Sequence, residues 1–335
     1  MVKQKITAGI DIGGTNTVFG FIKENGECIY SSSILTNPYE EADKFISRLT
    51  KKIKSSYKIY SKKYSLEGIG IAAPMANHFN GTIETPSNIK WGKVNIVAMM
   101  EKNFGVRVAI TNDANAAALG EYYFGHGKGL NNFIVITLGT GLGSGIIING
   151  NLLYSEGGLA GEFGHTIVDS NGRHCNCGRI GCLETYASAN GIRRTVLDLM
   201  AIHIEQSQLR KIPYSQISGQ LINDLAIKGD PIAVRAFQYT GEILGRALAN
   251  LAISFVPEAI ILFGGLADSG DLLLDPTRKH FEKNLLKIYK GKVKILKSSV
   301  GNGMSAVLGA SSLISGEIKS GSFILDINNN VEKHN

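Results

Sequence analysis

Residues 6–22, ITAGIDIGGTNTVFGFI, and residues 133–148, FIVITLGTGLGSGIII, each set apolar and β-branched residues on both sides of a glycine-rich break. Bulky residues favour extended chain and glycines permit a tight reversal, so each stretch predicts strand, turn, strand. Aligning Gly13 with Gly139 puts Asp11 opposite Thr137. That correspondence predicts two halves that each open on a glycine-turned hairpin, a duplicated architecture. The length of 335 residues agrees, because one compact core rarely serves so long a chain.

Between the hairpins the pattern predicts a basic amphipathic helix, a strand near 68–72, a loop containing Pro and Asn, and a helix near 94–103. A strand at 106–110 then runs into TNDANAAALGEYYFG, whose alanine run is strongly helical. In the second half a helix over 232–255 is ended by Pro257, and a buried strand follows at 259–263. Alternating strands and helices in both halves predict α/β layers. No Pro- or Ser-rich linker parts the halves, so the two domains, 1–115 and 116–303, are expected to meet at a cleft.

The apolar runs are far shorter than the about 20 residues a membrane span requires, and a charged Asp stands where a secretory leader needs its apolar core. A cytoplasmic location is therefore expected. The net charge of +7 raises nucleic acid as a partner, and basic residues crowd into 44–63. There, however, Phe45, Ile46, Leu49 and Ile53 recur at helical spacing with Lys and Arg between them, the pattern of a surface helix with a solvated outer face.

Three places carry chemistry. The glycine turns are the first, because phosphate oxygens need backbone N–H donors at close range and glycine permits that approach. Asp11 stands just before Gly13 and Gly14, placed to reach a metal-bound phosphate through water. Neither turn is followed by the Lys of a Walker loop, and residues 139–144 miss the dinucleotide spacing and lead into a strand, which disfavours a dehydrogenase. Gly264-Gly265 follows the buried strand at 259–263 and suits the adenosine side. The second place is Asn112-Asp113 before the Ala-rich helix. A helix cap explains one of the two; the other can face the cleft as the carboxylate that accepts a hydroxyl proton.

The third place is the run GEFGHTIVDSNGRHCNCGRIGCLE. His165, Cys175, Cys177 and Cys182 stand in the pattern H-x9-C-x-C-x4-C, the ligand types of a closed tetrahedral zinc shell, hence a structural metal. His174 competes as a ligand but adjoins Cys175. The alternative is four buried or free side chains. Zinc here would fix Glu162 and Glu184, carboxylates suited to a polyol.

With these residues in view, the chain resembles the ROK family (repressors, open reading frames and kinases), specifically its sugar kinases, over nearly its whole length. DIGGT at 11–15 is similar to the family's first phosphate motif, LGTGLGSG at 138–145 to its second, and GEFGH through CLE to its signature and zinc loop. The resemblance implies two ribonuclease H-like, actin-like ATPase domains closing on ATP, Mg2+ and a hexose, with transfer to the sugar 6-hydroxyl and a homodimeric assembly. It also implies that a last helix near 304–314 returns to the first domain. On the matching positions it implies Asp113 as catalytic base, and Asn112, Glu162, His165 and Glu184 as sugar ligands. Asn77 and Asn88 resemble the remaining sugar contacts, although Ser87-Asn88 departs from the commoner Pro-Asn. Asp11, Gly13, Gly14, Thr15, Thr140, Gly141, Gly264 and Gly265 fall to the nucleotide. His165 then serves both zinc and sugar.

Family repressors carry a winged helix before the first phosphate motif; ten residues precede Asp11, which leads us to expect a kinase. The loop GIAAPMANHFNGTIE looks most like the glucose-directed branch. An N-acetylhexosamine kinase for N-acetylglucosamine or N-acetylmannosamine is the enzymatic alternative, and a sugar sensor or nucleic-acid-binding protein the non-enzymatic one.

Overall fold

The computed structural model describes residues 2–85, 89–155, 158–301 and 304–320, with side chains up to 314. β1 (Gln4–Ile12) and β2 (Asn16–Lys23) pair antiparallel across Gly13, Gly14 and Thr15, and β3 (Cys28–Leu35) pairs antiparallel with β2. After α1 (Ala42–Tyr60), β4 (Tyr64–Ala72) joins β1 in parallel. A small ribbon of β5 (Ala76–Asn77) and β6 (Thr82–Ile83) precedes α2 (Ile96–Phe104), and β7 (Arg107–Thr111) lies parallel to β4. The sheet order is β3-β2-β1-β4-β7.

α3 (Asp113–Phe124) leads to a second sheet. Here β8 (Phe133–Leu138) and β9 (Leu142–Ile148) pair antiparallel across Gly139, Thr140 and Gly141, and β10 (Asn151–Leu152) follows the Asn149-Gly150 reversal. Helices α4 (Ala189–Ile202), α5 (Gly219–Ile227) and α6 (Pro231–Phe255) come next. β11 (Ala259–Phe263) is parallel to β8, and after α7 (Asp271–Asn284) β12 (Lys294–Lys297) is parallel to β11. The order β10-β9-β8-β11-β12 repeats the first sheet strand for strand and direction for direction. The duplication read from two hairpins thus extends to both whole sheets.

Local chemistry explains the elements. In α1 Phe45, Ile46, Leu49 and Ile53 are buried and the Lys and Arg residues between them exposed, as the periodicity predicts. Each such side chain contributes about 2 kcal/mol by leaving water. α6 starts where Asp230 accepts the N–H groups of Ile232 and Ala233, each at 3.1 Å, with Pro231 in the first turn. It stops at Val256, left-handed at φ 43°, just before Pro257.

Two apolar cores result. One gathers Phe19, Phe21, Phe45, Leu49, Ile71 and Trp91 from the first sheet, α1 and the loop before α2; the other gathers Ile134, Leu138, Leu244, Leu248, Ile260 and Phe281 from the second sheet, α6 and α7. The final helix, α8 (Ser305–Ser320), lies on the first sheet and on α3. Its backbone approaches so closely that a Cβ at Gly9 would sit 1.9 Å from the Val307 carbonyl oxygen, and one at Gly70 1.6 Å from that of Ala310. No helix among the described residues is long and apolar enough to cross a membrane.

Candidate active site

β7 ends at Thr111 and the chain turns into α3 over Asn112. Asn112 is the cap: its Oδ1 accepts the N–H of Asn115 at 2.7 Å. Asp113, the first helical residue, accepts the adjacent Ala114 N–H at 2.9 Å and presents its side chain to solvent. The adjacent pair therefore divides its work, one side chain closing the helix and the other facing out. Although water reaches Asp113, protein crowds it from the other sides, and this desolvation raises its pKa above the usual carboxylate range.

Asp11, at the end of β1, is partly buried, and its pKa is raised to about 7, first by burial and then by repulsion from Asp113. The two carboxylates thus share one region at the ends of β1 and β7, which flank β4 in the sheet. Glu162 joins them from the second half. Burial raises its pKa, repulsion from Asp113 and Glu184 adds to the rise, and the nearby His165 opposes it. Asp11, Asp113, Glu162, Glu184 and His165 are accordingly brought into one electrostatic neighbourhood, although they span most of the sequence.

The Cys–His run folds into a compact cluster. His165 Nδ1 lies 3.7 Å from Cys175 Sγ, Cys177 Sγ lies 3.6 Å from Cys182 Sγ, and the four potential ligand atoms are all within 4.8 Å of one another. Donors about 2.3 Å from a tetrahedral zinc ion stand about 3.8 Å apart, so the cluster already has nearly the edges of that shell. His174 is outside the group. Burial pushes the Cys175 thiol up to about 12 and raises Cys182, while the Arg179 backbone N–H lowers Cys177. Three thiols so placed ionise together only around a cation, which fits the metal. The remaining ring nitrogen of His165, Nε2, points at Glu162 Oε2, 3.8 Å away.

Glu184 ties the cluster to the second glycine turn. Its Oε1 receives the Cys175 thiol at 3.5 Å and its Oε2 accepts the Leu142 N–H at 3.2 Å. A Cβ at Gly141 would stand 2.3 Å from Oε2, so glycine there makes room for the carboxylate. The loop is further fixed by the Ala189 N–H donating to the Gly139 carbonyl at 2.9 Å.

The turns themselves are open. Thr15, Gly139, Thr140 and Gly265 are exposed. A Cβ added at Gly139 or Gly265 would meet nothing within 4 Å, and neither has a left-handed φ. Neither packing nor backbone geometry requires glycine at those two positions, and the open space there admits close approach by a ligand. Gly264 differs, with φ 105° and its own approach to Leu138, whose carbonyl also accepts the Leu266 N–H at 3.1 Å. The 264–265 turn therefore lies against the second hairpin.

Asn77 is buried and its Oδ1 accepts the N–H groups of Phe79 and Asn80 at 3.0 and 3.1 Å, which leaves Nδ2 for any further partner. Asn88 lies outside the described residues. No motif in the chain marks Tyr154. Its hydroxyl is 3.0 Å from Thr111 Oγ1, a contact across 43 positions, and its ring stacks on His78.

The model of the ROK family matches residues 7–317. The chain belongs to the ROK family. A relative named glucokinase, from Halalkalibacterium halodurans, is 35% identical over 308 residues, covering 90% of this chain and 92% of its own length. A ROK family glucokinase from Streptomyces griseus, solved in complex with glucose and AMPPNP, superposes with a TM-score of 0.78 at 34% identity, covering 92% of this chain and 98% of that one. A ROK family transcriptional regulator, a homologue of the E. coli MLC protein, superposes with a TM-score of 0.83 at 28% identity, covering 93% of this chain and 78% of the regulator. One ROK frame thus serves an enzyme and a regulator, and the choice for this chain rests on its site.

Proposed function

We propose that this ROK chain is an ATP-dependent hexose kinase that phosphorylates the 6-hydroxyl of glucose. The observation that carries the proposal is Asp113: a solvent-facing carboxylate of raised pKa, next to Asp11 of the first phosphate turn and Glu162 of the second half. Its raised pKa makes it a stronger base than an ordinary aspartate, suited to accept the proton of the attacking hydroxyl. The relatives named glucokinase support the substrate and the nucleotide.

In this reading Asn112, through the amide not used in capping, orients the sugar with Glu162, His165, Glu184, Asn77 and Asn88. Asp11, Gly13, Gly14 and Thr15 receive the nucleotide from one side, and Thr140, Gly141, Gly264 and Gly265 from the other. Two repelling carboxylates offer hard oxygen donors that fit Mg2+, which when bound neutralises phosphate charge. Zinc held by His165, Cys175, Cys177 and Cys182 is structural, and it fixes the nitrogen that His165 turns toward the sugar. The domains divide near residue 115, with α8 counted with the first.

The test is a substrate panel of glucose, mannose, fructose, N-acetylglucosamine and N-acetylmannosamine with ATP and Mg2+. Glucose is expected to be the best acceptor. Transfer to the acetylated sugars alone replaces this reading with an N-acetylhexosamine kinase. No transfer to any sugar, together with tight, steeply salt-dependent binding of duplex DNA, replaces it with a regulator.

A further inference from the structure

We infer that Tyr154 is a positioning residue for phosphoryl transfer: it braces the end of β7 from the opposite half and so sets Asp113 against Glu162 and Glu184. The inference rests on the kinase reading above. Tyr154 follows β10 at the edge of the second sheet, whereas the groups it meets belong to the first half: Thr111 ends β7, and His78 and Phe79 follow β5. Its hydroxyl is 3.0 Å from Oγ1 of the fully buried Thr111. Its ring lies nearly parallel to that of His78, with centroids 4.6 Å apart and planes 12° apart. His78 in turn holds the Ile110 carbonyl through Nδ1 at 2.9 Å. A carbonyl only accepts, so Nδ1 carries the hydrogen and the ring has one orientation. Phe79 stands edge-on to both rings, at 5.5 and 5.8 Å.

The brace therefore grips Ile110 and Thr111, the two residues immediately before Asn112 and Asp113. Its other end is tied to the second glycine turn. β9 starts at Leu142 beside that turn, reverses at Asn149-Gly150 and returns as β10, with the Leu153 N–H donating to Ile146 at 2.8 Å. In the proposed reaction the first half supplies the base, and the second supplies Glu162, His165, Glu184 and a phosphate turn. Their relative placement must hold to well under an ångström, because a misplacement of about 1 Å costs about 100-fold in rate. A hydroxyl that links the base-bearing strand to the strand pair of the phosphate turn is suited to hold it.

The experiment is a double-mutant cycle with Tyr154→Phe and Thr111→Val, read as kcat, sugar KM, nucleotide KM and melting temperature. Tyr154→Phe keeps the stack and removes only the hydroxyl. It is expected to lower kcat about 10-fold with nucleotide KM within about 2-fold and the melting temperature lowered by no more than a few degrees, since the buried Thr111 hydroxyl loses its partner. The double variant should be no slower than the slower single one, since both remove one contact. A Tyr154→Phe enzyme with wild-type kcat, or losses that multiply in the double variant, overturns the positioning role while leaving the kinase intact. A wild-type protein that phosphorylates no sugar overturns the kinase reading, and the positioning role falls with it.

Discussion

In the first hairpin the residue two places before the turn is Asp11; in the second it is Thr137, and the strands around them run the same way. The first turn leaves four residues, Gly13 to Asn16, between the last paired positions and is closed by the Gly13 N–H on the Asn16 carbonyl at 3.0 Å; the second leaves three, Gly139 to Gly141, and is closed by the Gly139 N–H on the Gly141 carbonyl at 3.0 Å. The side chains part company. Asp11 is charge-coupled to Asp113, whereas Thr137 Oγ1 accepts the Gly143 N–H at 3.1 Å and the turn beside it is tied through Leu142 to Glu184. Strand order and direction are backbone properties and survive duplication, even where one turn is a residue longer. The chemistry is carried by side chains, and it has diverged into a first hairpin with an acid at its mouth and a second that is neutral and tethered.

If that division is right, the largest loss comes from removing charge in the first half. Asp113→Asn keeps the size of the side chain and cannot take a proton. Turnover is expected to fall about 1,000-fold while sugar affinity, measured by calorimetry, changes less than about 3-fold. Turnover within 10-fold of wild type would remove Asp113 as the base.

How much of this asymmetry was legible in the sequence follows from the range of the interactions. The hairpins, the amphipathic α1 and the capped α6 depend on neighbours a few positions away, so their patterns are visible in the chain itself. The Cys–His cluster was legible because its ligands fall within 18 positions and their types admit few other uses. That one of Asn112 and Asp113 caps the helix was legible, and the structure assigns the cap to Asn112; that Asp113 approaches Asp11 and Glu162 was implied only by resemblance, because no local pattern encodes a meeting of residues from both halves. Nor does one encode the stack of Tyr154 on His78. The reason for glycine at 139 and 265 also needed the structure, since only there can its packing role be excluded.

A smaller effect is expected in the tethered half. Cys177→Ser removes one of the four proposed zinc ligands, and through His165 and Glu184 it loosens groups proposed to face the sugar. Bound zinc should fall below one equivalent by elemental analysis, and sugar KM should rise about 10-fold with kcat less affected. A folded, metal-stripped protein with unchanged sugar affinity would break the link between the cluster and the site.

The smallest effect is one of pH on stability, and it separates the halves again because Thr137 has no charge to titrate. Asp11 is raised from 3.8 to about 7 in the fold, so between those values the folded state holds a proton that the unfolded chain has released. The stabilisation is fully present below about 3.8 and is lost as pH rises through about 7. Asp11→Asn cannot ionise and should gain on the wild type as pH rises from 5 to 8 in thermal melts. Repulsion from Asp113 is the second cause of the shift, so Asp113→Asn should move the wild-type midpoint downward. Burial is the first cause, so the midpoint should stay above that of an ordinary carboxylate. A stability difference that does not change with pH would show that Asp11 is ionised throughout, and with it that the two hairpins are less unlike than their sequences suggest.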